Sequence, residues 1–180
     1  EYVHLPLQAG HDDLLKAMKR QYTVEGFLEI VAKLRAAVPH IGLTTDIIVG
    51  FPSETEEQFQ ATLDVVRQVR FDGAYMFAYS PRPGTPAAEM EQLPHALRMR
   101  RLNELIAVQN AITCEINDGL VGREFEVLVE GRSHKNREML QGYSREFKMI
   151  HFPGPDELIG QLVTVRAEKG HLFGLSATVV

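Results

Sequence analysis

Over the first ninety residues, short apolar runs alternate with stretches in which apolar side chains return every three or four positions. The runs YVHLPLQ (residues 2–8), DIIVGF (46–51) and GAYMFAYS (73–80) predict strands of a parallel sheet covered on both faces, where apolar residues follow one another without strict alternation. Between the first two, Phe27, Ile30, Val31, Leu34 and Val38 write one face of a helix over residues 24–38, with Thr23 as its N-cap and Pro39 as its stop. Phe59, Leu63, Val66 and Val69 write a second helix over 56–69. Such alternation is a (βα) repeat, whose parallel strands need right-handed crossovers. Three units cannot close a barrel by themselves, and an open three-stranded sheet leaves an apolar edge, so further strands are expected upstream.

A proline- and glycine-rich connection, YSPRPGTPAAEM (79–90), leads into a long helical pattern over residues 95–117. Asn117-Asp118-Gly119 reads as its C-cap and as a domain boundary. Beyond it the period becomes two. In REFEVLVEG (123–131), Phe125, Val127 and Val129 alternate with Glu124, Glu126, Leu128 and Glu130, the pattern of a half-buried strand. MLQGYSR, KMIHF, QLVTVRAE and LFGLSATVV carry further strand signals between turns, and five short strands in so short a segment predict a small closed or nearly closed β-barrel.

Composition narrows the class. With 44% hydrophobic residues in 180, the chain can bury one large or two small cores and is not disordered. Its formal charge of −5 argues against a generally basic nucleic-acid binder, but the acidity is local. Residues 1–120 hold 11 Lys/Arg against 16 Asp/Glu, whereas residues 121–180 hold 8 of each. Cys114 is the one cysteine, which excludes an internal disulfide and a cysteine-only metal site and suits a reducing cytoplasm; its helical setting reads as a small buried hydrophobe. No apolar run approaches the roughly 18 residues of a membrane span, no signal-peptide pattern opens the chain, and the Glu-Tyr-Val start suggests a piece of a longer protein.

Candidate chemistry lies in the turns, because ligands of α/β sheets and barrels sit at the carboxyl ends of the strands. In TTDIIVGFPSETEEQF (44–59), Gly50 permits close approach of a ligand, Phe51-Pro52 shape the turn, and both Ser53/Glu56 and Thr55/Gln58 have capping-box spacing. LQAGHDD (7–13) and YSPRPGTPAA (79–88) follow the other two strands, so three strand ends line one mouth. None of them holds an acid–base pair, a nucleophile–base pair or a metal triad. His4 and His11 read as structural, and Asp46 as a carboxylate satisfied by its neighbours; no catalytic residue and no metal ligand is assigned.

HLPLQAG followed by LLKAMKRQYT, TTDIIVGFPSETEEQF and YSPRPGTPAA, in this order, resembles the second half of the radical SAM domain of the tRNA methylthiotransferases, most closely the MiaB family. LVGREFEVLVEG with IHFPGPDELIGQLVTVRA is similar to that family's C-terminal TRAM domain. The resemblance implies an α/β partial (βα) barrel of about three units over residues 1–92, a closing and linking helix over 93–120, and a small OB-like TRAM β-barrel over 121–180. It further implies S-adenosylmethionine and two [4Fe-4S] clusters as cofactors, with cluster ligands in a missing N-terminal part of the same polypeptide. The implied partner is the anticodon stem-loop of tRNA, and the implied reaction is methylthiolation of an isopentenyl-type adenosine beside the anticodon. One cysteine cannot ligate a four-cysteine-class cluster, so this chain alone is expected to be inactive.

By the same resemblance, Gln8 meets the ribose or methionyl part of the cofactor, Arg20 its carboxylate, Ile48 and Gly50 back the adenine, and Phe77 and Tyr79 stack near or hydrogen-bond it. Ala9, His11 and Ser53 depart from the family pattern, as does the closing stretch EKGHLFGLSATVV. Ala9 stands where a serine is common and loses a hydroxyl that could meet the cofactor; Ser53 replaces a glycine, which requires a turn without positive φ there and adds an N-cap oxygen. In the barrel, Arg132, Lys135, Arg137, Arg145 and Lys148 are the candidate phosphate contacts, with Tyr143, Phe147 or Phe152 available to stack on a base. Two other readings are a methylthiotransferase of another tRNA adenosine or of a ribosomal protein, and a non-catalytic RNA-binding module.

Overall fold

Pro6 sets the length of the first strand. In the computed structural model, which describes residues Glu1–Val180, β1 (Tyr2–His4) ends two residues before this proline, which has no N–H to give to a ladder. Pairing resumes as a single parallel bridge from Gln8 to Ile47, with Gln8 N–H donating to Asp46 O and Ile48 N–H to Gln8 O. Helices α1 (Asp12–Ala17) and α2 (Val24–Ala37) follow, the latter capped by the Thr23 hydroxyl, which accepts from Gly26 N–H at 3.1 Å. Then come β2 (Gly42–Val49), α3 (Glu56–Val69), β3 (Gly73–Ala78), a short α4 (Pro86–Glu89) and the 24-residue α5 (His95–Asp118).

The sheet order is β1-β2-β3, and β2 and β3 run parallel with Asp46 opposite Tyr75 and Ile48 opposite Phe77. Strand parity divides β2 in two: Leu43, Thr45, Ile47 and Val49 are buried, while Thr44, Asp46 and Ile48 are half-buried. Burial of the first set, together with Phe59, Leu63, Val66 and Val69 of α3, forms an apolar core at roughly 1.5–3 kcal/mol per large side chain. The other face departs from the predicted both-face burial. It carries Tyr75 and Phe77 at 59% and 53% exposure, so this sheet is covered on one side.

Two compact units divide the chain, one of His4–Pro39 with Leu43–Ile112, the other of Thr113–Val180 with Glu1–Val3 and His40–Gly42. The second contains a closed five-stranded barrel of β4 (Glu124–Arg132), β5 (Met139–Ser144), β6 (Met149–Pro153), β7 (Leu162–His171) and β8 (Gly174–Val179), ordered β4-β5-β6-β8-β7. Antiparallel pairing of β4 with β7 closes it, which removes the exposed edges of an open sheet. The alternation read in residues 123–131 holds: Phe125, Val127 and Val129 point into a core shared with Leu140, Ile150, Phe152, Val165 and Leu175. Cys114, expected to be buried, is a free thiol with intermediate exposure on α5.

Candidate functional site

The turn after β2 is held from within and from α5. Gly50 has φ +72° and donates its N–H to Glu54 Oε2 at 2.7 Å, while Glu54 N–H returns to Phe51 O at 2.9 Å. Arg101 Nη1 donates to Glu54 Oε2 at 2.7 Å and to Glu54 O at 2.9 Å, and the two side chains are 3% and 0% exposed. Burial is the largest influence on the Glu54 carboxyl and pushes its pKa up; the donors from Gly50 and Arg101 oppose it. Of the two capping-box spacings, the helix uses Thr55 and Gln58: Gln58 N–H reaches Thr55 Oγ1 at 3.2 Å and Thr55 N–H reaches Gln58 Oε1 at 3.0 Å.

Two expectations for Ser53 in this turn are corrected. Ser53 is not the N-cap, because it lies two residues before Thr55, and it adopts the positive φ of 69° that its replacement of a glycine was expected to avoid. Ala9 faces the core with Leu14, Leu15 and Phe51, so a hydroxyl there would be buried rather than offered to a ligand. The space over Gly50 belongs to Arg98: a Cβ at Gly50 would stand 2.5 Å from Arg98 Cγ. The glycine is needed for a side chain of α5, and Gly50 does not line the cavity described next.

A cavity of about 500 Å³ opens at the carboxyl ends of the strands. Five of the six predicted cofactor residues line it: Gln8, Arg20, Ile48, Phe77 and Tyr79. Parity explains the grouping, because Ile48 and Phe77 are register partners on the open face of the sheet. Gln8 is buried and holds φ +67°, a left-handed conformation that is costly for a side-chain-bearing residue and accumulates at functional sites. Arg20 lies near the Tyr22 hydroxyl, which donates to Pro6 O and Leu7 O at 3.1 Å; burial raises the Tyr22 pKa and the Arg20 charge opposes that rise.

Asp46 and Arg82 also line the cavity, and neither was assigned to it from sequence. The signal for Asp46 was its i, i+2 relation to Ile48. His4 braces it: Nε2 lies 3.3 Å from Asp46 Oδ1, Nδ1 lies 2.9 Å from Thr44 Oγ1, and the ring stands edge-on to Tyr75 at 5.7 Å. His11 is the N-cap of α1, its Nδ1 accepting from Asp13 N–H at 3.2 Å. Both histidines thus have structural partners, as read.

On the barrel, the five predicted phosphate contacts separate. Lys135 and Arg137 are exposed on the turn between β4 and β5. Arg132 Nε donates to Asp156 Oδ1 at 2.7 Å, and Arg145 Nη2, in the turn just past β5, is paired with Glu126 Oε2 on β4. Lys148 is buried and gives its ammonium to Asn117 Oδ1 at 2.8 Å, so it is a structural cation. Of the three aromatics, Phe152 is core, whereas Phe147 is half exposed with its ring stacked 4.5 Å from those of Tyr143 and Tyr2.

Comparison with known proteins bears on both units. Residues 1–66 match the Radical SAM superfamily, and residues 119–180 match the TRAM domain. The whole chain aligns at 49% identity with a tRNA-2-methylthio-N(6)-dimethylallyladenosine synthase of Carboxydothermus hydrogenoformans, spanning 41% of that protein. Along its whole length the chain is similar to this synthase, with a Radical SAM superfamily segment followed by a TRAM domain. The enzyme of the same name from Moorella thermoacetica is 50% identical over the whole chain and 41% of its own length, and that of Geobacillus thermodenitrificans is 49% identical over 98% of this chain and 34% of its own. The chain therefore spans about two fifths or less of these curated relatives. A solved structure, coproporphyrinogen III oxidase from Escherichia coli, described as a radical SAM enzyme, shares the fold with TM-score 0.52 and 13% identity, covering 97% of this chain and 44% of that one.

The cavity suits the cofactor after which the superfamily is called. An apolar wall of Ile48, Phe77 and Tyr79 beside two guanidiniums, one carboxylate and one amide complements a nucleoside that carries an amino-acid zwitterion. An iron–sulfur cluster does not fit, since Cys114 is the only thiol and no group of three or more His, Cys, Asp or Glu is gathered for a metal.

Proposed function

We propose that this chain is the part of a tRNA 2-methylthio-N6-dimethylallyladenosine synthase that supplies one wall of the S-adenosylmethionine site together with the RNA-binding TRAM barrel. The observation that carries this reading is the convergence of Gln8, Arg20, Ile48, Phe77 and Tyr79 on one cavity at the strand ends. S-adenosylmethionine supplies the radical chemistry once it is bound beside a cluster whose ligands lie outside this chain. The residues here bind and orient it: Ile48 and Phe77 flank the adenine, Gln8 meets the ribose or methionyl end, and Arg20 pairs with the carboxylate.

Two [4Fe-4S] clusters belong to the whole protein in this proposal, and this chain alone is inert in a cytoplasmic setting. On the barrel, Lys135 and Arg137 take RNA phosphates. Arg132 and Arg145 join them only by exchanging Asp156 and Glu126 for phosphate. The test is methylthiolation of an anticodon stem-loop by the full-length, cluster-loaded protein, read by mass spectrometry of the nucleosides. Ile48→Glu should abolish the product and the binding of S-adenosylhomocysteine together. Undiminished binding would place the cofactor elsewhere.

A further inference from the structure

We infer that Arg98 on α5 is a positioning residue that sets the wall of the cavity by joining the ends of β2 and β3. The inference rests on the reading of that cavity as the S-adenosylmethionine site. Arg98 reaches both strand ends at once. Its aliphatic stem covers Gly50, where a Cβ would meet Arg98 Cγ at 2.5 Å and Cβ at 3.0 Å, and its Nη1 donates to Tyr79 O at 2.5 Å. Tyr79 is a wall residue, whereas Arg98 is not among the lining side chains, so Arg98 acts on a ligand only through what it holds.

Two other ties join the same strand ends, Tyr79 N–H to Val49 O at 2.8 Å and the Phe51 ring edge-on to the Tyr79 ring at 5.2 Å. They hold Tyr79 from its β2 side only. The Arg98 bond approaches the Tyr79 carbonyl, one residue past the end of β3, where the chain turns toward Ser80 and Arg82, which line the same cavity. Losing it frees that carbonyl and the start of the loop.

The guanidinium is a poor device for stability alone. Arg98 Nε is buried without a partner, and a buried unsatisfied N–H offsets most of what one hydrogen bond contributes. Methionine has an unbranched apolar side chain that covers Gly50 without this penalty. Fold stability and cavity geometry should therefore separate at this position.

The experiment uses the full-length, cluster-loaded protein and measures the dissociation constant of S-adenosylhomocysteine by calorimetry, with thermal midpoints in parallel. Arg98→Met should raise the dissociation constant about tenfold with the midpoint unchanged, and Arg98→Lys, which keeps a donor for Tyr79 O, should return it to within about threefold of wild type. Ile48→Glu serves as the control that places a carboxylate on the apolar wall of the cavity. If Ile48→Glu abolishes binding and Arg98→Met binds as wild type, the positioning role is wrong while the cavity reading stands. If Arg98→Met loses affinity only in step with its midpoint and Arg98→Lys does not recover it, the role is general stability. If Ile48→Glu binds as wild type, both readings fall.

Discussion

Arg101 and Glu54 form an ion pair at 2.7 Å beneath the turn that follows β2, with neither side chain in contact with bulk solvent. Arg101 also donates to the partly exposed Glu56 at 3.1 Å, and its guanidinium lies 5.4 Å from the centre of the Phe59 ring. Removing one member of such a pair strands the other. Arg101→Met should therefore cost about 3–5 kcal/mol, and adding Glu54→Gln should recover much of it, because the amide oxygen still accepts from Gly50 N–H. Denaturant unfolding of the single and double variants decides; additive losses would mean the two residues do not act as a pair.

Ser53 tests the backbone of the same turn. It is exposed and holds φ +69°, a region that costs a side-chain-bearing residue roughly 1–2 kcal/mol and glycine almost nothing. After the extra entropy glycine loses on folding, Ser53→Gly should stabilise by about 0.5–1 kcal/mol and Ser53→Val should destabilise by more than that. A Ser53→Gly variant that unfolds earlier in urea would show the hydroxyl has a role beyond the turn.

His151 gives the barrel a pH dependence. Burial lowers its pKa from 6.5, and His171 and Lys135 add to the fall. The unfolded chain then binds this proton more readily than the folded one, so stability is greatest above pH 6.5 and declines as pH falls from there toward the lowered folded value. Melting curves between pH 5 and 8 should show this slope in the wild type and a flatter one in His151→Gln. An unchanged slope would assign the effect to other groups.

The cations of the barrel should divide by exposure. Lys135→Ala with Arg137→Ala should weaken stem-loop binding and reduce the slope of log affinity against log salt by about 1–2, with the thermal midpoint unchanged. Lys148→Met should do the opposite, lowering the midpoint by stranding Asn117 while leaving the salt slope alone. Equal effects of the two changes on the slope would overturn the separation.

What could be read without the structure follows from periodicity and local chemistry. The face of α3, the alternation in β4 and the Thr23 cap depend on residues within a few positions of one another, so sequence spacing carries them. The same holds for the two candidate capping boxes, but not for the choice between them. Thr55 prevails over Ser53 where the Glu54 carboxylate turns back to Gly50 and Arg101, a residue 47 positions further along the chain.

By itself, then, the sequence determined the elements, the βα repeat, the five-stranded module and the cluster of strand ends at which Gln8, Ile48 and Tyr79 meet. Tertiary structure alone decided which charges are available and which are spent. Lys148 and Arg101 look like the other basic residues in a linear reading, yet both are buried against partners, whereas Asp46 and Arg82 line the cavity. The physical reason is that secondary structure answers to neighbours three or four residues away, while the solvation and pairing of a charge depend on which distant segments fold over it.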